Sequence, residues 1–242
     1  MNSEDTESVT VVYTLRDRPV ERLRNSIESL RKVTNGVELR FIVVDYGSDT
    51  AHATALQEAA RKDAFRVIRS ETQGWPWSRG RAMNIGMKAA ETETVISTDI
   101  DMIFESDVVG EALRLLGPKV KVHCRPLWMP ATGRKAKAVH IGNKAHHGAF
   151  MGIRRADFLR IGGFSEHIVF WGAEDSELNV RAQRAGFEER WLQKSAKMYH
   201  VWHPVSHGIH DTRPLTSVAG DLYSGVSAAL ERPKPHGDQQ NQ

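Results

Sequence analysis

Thr94-Val95-Ile96-Ser97-Thr98-Asp99-Ile100-Asp101-Met102-Ile103-Phe104 decides how this chain is read. Its first half is a β-branched run, the pattern of a buried strand. The run then meets two carboxylates one residue apart, and apolar residues resume at once. Burying an unpaired carboxylate costs several kcal/mol, so charges placed here need a cation or a dense set of donors. In an open α/β sheet, ligands bind beyond the carboxyl ends of the strands, which is where Asp99 and Asp101 would fall. Carboxylate oxygens suit Mg2+ or Mn2+, ions that often bridge to a substrate diphosphate. A solvated strand end with a helix cap fits the same residues, and the stretch alone leaves both readings open.

The residues upstream repeat the strand signal. Residues 9–14 read as a strand, and Arg16-Asp17-Arg18-Pro19 as a turn. A helix follows over 20–33, with Leu23, Ile27 and Leu30 at helical spacing. Asn35-Gly36 turns the chain into a second strand over 39–44, which ends in Asp45-Tyr46-Gly47-Ser48-Asp49. A helix over 50–62 and a short strand over 65–68 come next. This alternation predicts successive parallel βαβ units with right-handed crossovers. Arg16, Asp45 and Asp99 then gather at one edge of the sheet. Between the third strand and the Asp-x-Asp strand, Trp75-Pro76-Trp77-Ser78-Arg79-Gly80-Arg81 leads into a helix over 81–90. Arginine forks suit phosphate and Ser78 suits a cap, though arginines on an amphipathic surface helix fit as well.

Composition sets the outer bounds. A chain of 242 residues can bury a sizeable core, and 40% hydrophobic with 26% charged residues is ordinary for a globular α/β protein. No apolar run approaches the ~20 residues that span a bilayer. The polar, acidic start does not read as a secretory signal, and the single cysteine, Cys124, suits a reducing compartment, so a cytoplasmic location is expected. The net charge of +3 fits an anionic small substrate or an acidic membrane surface, so peripheral membrane contact is compatible with it. The aromatic-interleaved basic run of an RNA binder is missing, and no nucleic-acid partner is expected.

Several motifs in order carry a family resemblance. Asp45-Tyr-Gly-Ser48, Arg79-Gly-Arg-Ala-Met-Asn-Ile-Gly86 and Asp99-Ile-Asp101 resemble the sugar-nucleotide half of GT-A glycosyltransferases. Residues 148–164, followed by Phe170-Trp-Gly-Ala-Glu-Asp-Ser-Glu-Leu178, are similar to the acceptor side of β-1,4-galactosyltransferases and of bacterial chondroitin-polymerase-type enzymes. The likeness runs from Val9 to Pro204. It implies one α/β GT-A domain over 9–214, Rossmann-like, with a mostly parallel central sheet flanked by helices. Residues 9–104 would form the nucleotide-sugar half and 105–214 the acceptor half. A flexible start (1–8), a C-terminal helix (215–232) and a disordered tail (233–242) complete the expectation.

The resemblance also implies roles. Thr14, Arg16, Arg18, Asp45, Arg79 and Asp99 would bind the donor nucleotide, with Asp45 on the base of a uridine nucleotide. Asp101 would ligate Mn2+ (or Mg2+), joined by at least one of His200 and His203. Trp171, Gly172 and Glu174 would meet the acceptor, with Glu174 orienting it. Asp175 would be the general base of an inverting transfer. Glu174 and Asp175 at a helix start are also favoured by the macrodipole alone. Tyr46 and Ser176 stand where relatives carry acidic residues, so the resemblance does not fix the ribose contacts or the choice of nucleotide, and acceptor identity does not carry over. The implied partners are a nucleotide sugar, with UDP as the nucleotide, and a carbohydrate, glycolipid or other hydroxyl acceptor.

Other stretches carry less. His207 and His210 would belong to a lid over the donor. Arg134, Lys135, Lys137 and Lys144 read as a solvated loop, or as a contact for an anionic acceptor or lipid head group. His140, His146 and His147 lack the spacing of a structural zinc site. Two further function classes share the scaffold. A sugar nucleotidyltransferase would need a glycine-rich phosphate loop, and Arg16-Asp17-Arg18-Pro19 has no glycine. A non-catalytic nucleotide-sugar or carbohydrate-binding module would not need Asp175 beside Asp101 and a histidine pair.

Overall fold

Alternating apolar side chains carry Ser8–Leu15 (β1) through the middle of a seven-stranded sheet. A computed structural model describes residues 7–140, 147–169, 172–193 and 195–203. Glu38–Asp45 (β2) and Thr94–Thr98 (β4) flank β1, both parallel to it, and Arg66–Arg69 (β3) adds a parallel edge beyond β2. On the other side the order continues through Phe150–Arg154 (β8), Val120–His123 (β6) and Glu188–Trp191 (β9). β8 runs antiparallel to both β4 and β6, whereas β9 is parallel to β6. The sheet is thus mostly parallel, as expected, with one reversed strand that the βαβ alternation did not announce.

The period-two alternation of β1 feeds two apolar layers. Val9, Val11 and Tyr13 join one layer with Leu23, Ile27 and Leu30 of Val20–Val33 (α1) and with Leu56 of Thr50–Asp63 (α2). Val12 faces the other layer, with Met83 and Met87 of Arg79–Ala89 (α3), Phe158 of Arg155–Arg160 (α5) and Leu178 of Glu174–Arg184 (α6). Gly86 lets α3 lie directly on the sheet, since a Cβ there would come within 2.4 Å of Val12 Cγ1. Val108–Leu115 (α4) packs Val108, Val109 and Ala112 into the first layer. Among the described residues no helix is long and apolar enough to cross a membrane.

A second, three-stranded sheet places the site. Met198–His200 (β10) lies between Met102–Phe104 (β5), antiparallel, and Leu127–Trp128 (β7), parallel. Two local readings shift. α3 begins at Arg79 rather than 81, because Ser78 Oγ accepts from Arg81 N (3.3 Å) and caps the helix there. The solvated loop read around Arg134, Lys135 and Lys137 contains a 3-10 turn at Lys135–Lys137. Trp171, Lys144, His146, His207 and His210, and the expected helix and tail over 215–242, lie outside the described residues.

Candidate active site

The metal corner is made by pairing two distant segments. β4 ends at Thr98, the Asp99-Ile100-Asp101 turn follows, and β5 leaves it to pair with β10. The register sets His200 opposite Met102, and Val201 N donates to Asp101 O at 2.9 Å. Asp101 Oδ2 then lies 2.9 Å from His203 Nε2 and 3.7 Å from His200 Nε2. The Trp128 ring stacks on His200 at 3.9 Å and fixes the imidazole plane. Ligand atoms of Asp101, His200 and His203 all lie within 4.8 Å of one another.

These residues fit a divalent cation. Asp101 Oδ1 is buried and has no hydrogen-bond partner among the described residues. A buried, unsatisfied carboxylate oxygen is costly unless an ion completes it. Burial pushes the Asp101 carboxyl up, but the His203 hydrogen bond and the fields of His200 and His203 outweigh it, so the net direction is down. One carboxylate with two imidazoles is a donor set suited to Mn2+.

Arg79 links this corner to the start of α6. As the first residue of α3 it is half-buried, and its Nε and Nη2 donate to Asp99 Oδ1 (3.0 and 2.8 Å). Nη2 also donates to Gly148 O (2.7 Å), and Nη1 to Glu174 Oε1 (3.4 Å). Burial lowers the Arg79 pKa, yet Asp99, Glu174 and Asp175 together raise it, so it stays a fixed cation. Burial raises the Glu174 pKa, Arg79 opposes and Asp175 adds, with a net rise. Asp99 moves the same way, by burial against Arg79, though its side chain keeps 36% of its surface open to water, which moderates the effect.

Gly172 and Ala173 enter α6 at φ of 89° and 70°, a left-handed approach that turns Glu174 inward and leaves Asp175 partly exposed. Asp175 Oδ1 accepts from Ser176 N at 2.8 Å. Its Oδ2 faces Gly148, where an added Cβ would come within 3.0 Å. Asp175 therefore has one oxygen held and stands at an accessible edge, as a base for an incoming hydroxyl must.

The donor-side residues are more engaged with the protein than the sequence implied. Arg16 donates to the carbonyls of Tyr46 (2.5 Å), Trp75 (2.6 Å) and Thr72 (2.9 Å), with its guanidinium 5.0 Å over the Tyr46 ring. It ties the 45–48 turn to the 72–75 loop, a scaffolding task instead of a guanidinium presented outward. Asp45 is buried, with Oδ1 accepting from Ser48 N (2.8 Å) and Oδ2 from Arg69 Nη1 (2.5 Å). Arg69 went unread in the sequence. Its signal is positional, because an arginine ending β3 sits in register with the aspartate ending β2. Thr14 is buried at the end of β1, in register with Val44, and Arg18 is exposed at the adjacent turn.

Comparison with known proteins supplies context for this geometry. The family model described as glycosyl transferase family 2 matches residues 10–124, and the model described as the N-terminal domain of galactosyltransferase matches 132–204. Human beta-1,4-galactosyltransferase 4 is 24% identical over 143 residues, which is 57% of this chain and 39% of that protein. The chain thus spans well under half of that relative's length. Among solved structures, GalNAc-T7 with UDP, GalNAc and Mn2+ superposes at a TM-score of 0.66 and 14% identity, covering 83% of this chain and 45% of that one. The mannosyltransferase PcManGT of Pyrobaculum calidifontis, in complex with GDP-Man and Mn2+, gives 0.64 at 16%, covering 93% and 65%. The catalytic domain of Drosophila beta-1,4-galactosyltransferase 7, in complex with xylobiose, gives 0.60 at 19%, covering 90% and 79%. The large mixed sheet flanked by helices is the one these structures share.

Proposed function

We propose that this chain, a glycosyltransferase of the GT-A fold, moves a sugar from a UDP-sugar to an acceptor hydroxyl, with inversion at the anomeric carbon and Asp175 as the base. One observation carries the reading. Arg79 bonds both Asp99, two residues from the Asp101–His200–His203 cluster, and Glu174, next to Asp175, so metal-ligating and acceptor-side carboxylates share one site. Mn2+ held by Asp101, His200 and His203 would supply charge to a departing diphosphate.

The residues of the chain then divide the work. Asp175 accepts the proton of the acceptor hydroxyl, whose oxygen bonds to the anomeric carbon as the bond to the diphosphate oxygen breaks and its electron pair leaves with UDP. Glu174, held by Arg79, orients the acceptor, and Gly172 gives the backbone its turn into α6. Arg18 and Asp99, with Thr14 at the strand end, line the donor edge. Asp45 and Arg16 shape the nucleotide end through Arg69 and the 72–75 loop. UDP as the nucleotide is supported by UDP in the GalNAc-T7 structure, although PcManGT is complexed with GDP-Man.

Asp175→Asn tests the reading. The asparagine amide oxygen can still accept from Ser176 N, so the fold and Mn2+-dependent UDP binding should persist. Transfer should fall by about 10²–10⁴-fold. NMR of the product's anomeric configuration, read beside turnover, checks both halves. An active Asp175→Asn variant or a retained configuration removes Asp175 from the mechanism.

A further inference from the structure

Lys121 stands in β6, between β8 and β9, and only 1% of it is exposed. A lysine at such a position is costly unless its ammonium is well partnered. Its Nζ donates to Asn179 Oδ1 on α6. Asn179 lies four residues after Asp175, one turn along the same helix face. Because Lys121 takes the amide oxygen, the Asn179 nitrogen turns to His147, 3.2 Å from Nε2. The same Nε2 lies 3.1 Å from Glu189 Oε1, an oxygen that accepts from Trp191 Nε1 (2.6 Å). The His147 ring packs edge-on against His123 at 5.1 Å.

His147 is followed at once by Gly148. That glycine's carbonyl accepts from Arg79, and its α-carbon faces Asp175 Oδ2, where a Cβ would come within 3.0 Å. The contacts therefore close a ring, from Lys121 to Asn179, to His147, to Gly148, to Asp175 and back along α6. We propose that Lys121 is a positioning residue for the general base, fixing the Asn179 amide and, through His147 and Gly148, the place of Asp175. The inference rests on the glycosyltransferase reading above. Packing alone does not call for this pair, since apolar side chains replacing both members of a buried polar pair often leave stability unchanged.

The charges around it are consistent with a protonated Lys121. Burial brings its pKa down to about 8, against the opposing fields of Glu189 and Asp175. His123, the other titratable group on β6, is pushed down to about 3, by burial first and then by Lys121 and His147, so it adds no competing cation. Asp175 itself faces Arg79 and Glu174 as well as Lys121.

Lys121→Met, similar in length and apolar, breaks the ring from the sheet side, and Asn179→Leu breaks it from the helix. Both should bind Mn2+ and UDP within about twofold of the parent, yet release UDP from UDP-galactose about ten-fold or more slowly. The double variant should be no slower than either single one, because both remove the same link. Amide exchange at residues 147–150 should quicken in each variant. If Lys121→Met does not fold, Asn179→Leu decides by the same measurements. Equal losses of UDP affinity and turnover, additive losses in the double variant, or unchanged exchange at 147–150 overturn the proposal. A parent protein that turns over no nucleotide sugar overturns the reading beneath it, and the exchange data still report on the ring itself.

Discussion

Replacing Arg79 with methionine should destabilise the fold by about 3–5 kcal/mol near pH 8 and by clearly less near pH 5. The magnitude follows from what the guanidinium leaves behind. Glu174 keeps only 8% of its side-chain surface exposed and would lose its cationic partner inside the protein. Gly148 O would lose its 2.7 Å donor, a further ~1–3 kcal/mol if water does not replace it. Asp99, with 36% exposure, can be hydrated and adds little. The pH dependence has a definite sign. Burial already raises the Glu174 pKa ahead of the opposing Arg79, and without Arg79 it rises further. A carboxyl with a folded-state pKa above its unfolded value binds its proton more tightly when folded, so its contribution is lost as pH rises through that folded value. Protonation at low pH therefore relieves the variant, and high pH exposes the full deficit. Urea unfolding of parent and variant, followed by tryptophan fluorescence at both pH values, measures the difference directly. A deficit under about 1 kcal/mol, or one equal at the two pH values, would refute the idea that Arg79 neutralises a buried Glu174.

Two further outcomes follow from the same contacts. Arg69→Met leaves Asp45, 1% exposed, with Ser48 N–H as its remaining hydrogen-bond donor among the described residues, and should cost about 3–5 kcal/mol in thermal or urea unfolding; a change near zero would mean that the Arg69–Asp45 pair does not hold the fold. Asp101→Ala should abolish Mn2+ binding, read by the electron paramagnetic resonance of free Mn2+, while the unfolding midpoint stays close to the parent's; retained Mn2+ affinity would remove Asp101 from the metal site.

Local pattern carried much of the architecture. β-branched runs marked β1, β2 and β4, and the spacing of Leu23, Ile27 and Leu30 marked α1, because side-chain periodicity is set by backbone geometry within one element. The same logic put carboxylates at strand ends and so pointed to Asp99 and Asp101. The resemblance carried Arg79, Glu174 and Asp175 to their part of the chain, and the structure brings them together around Gly148.

What neutralises each buried charge could not be read locally. His200 reaches Asp101 only because β10 pairs with β5, strands from opposite halves of the chain. Arg16, written like a phosphate ligand, turns its donors onto three carbonyls, while Arg69 takes the carboxylate of Asp45. Lys121 carries no local signal of burial, yet β8 and β9 enclose it and Asn179 accepts its hydrogen bond. Residue order along the chain set which elements form and which residue types end the strands. The ion pairs and the ligand set came from the tertiary fold, because a charge finds its partner across space, and strand pairing between distant segments leaves no periodic trace in either one.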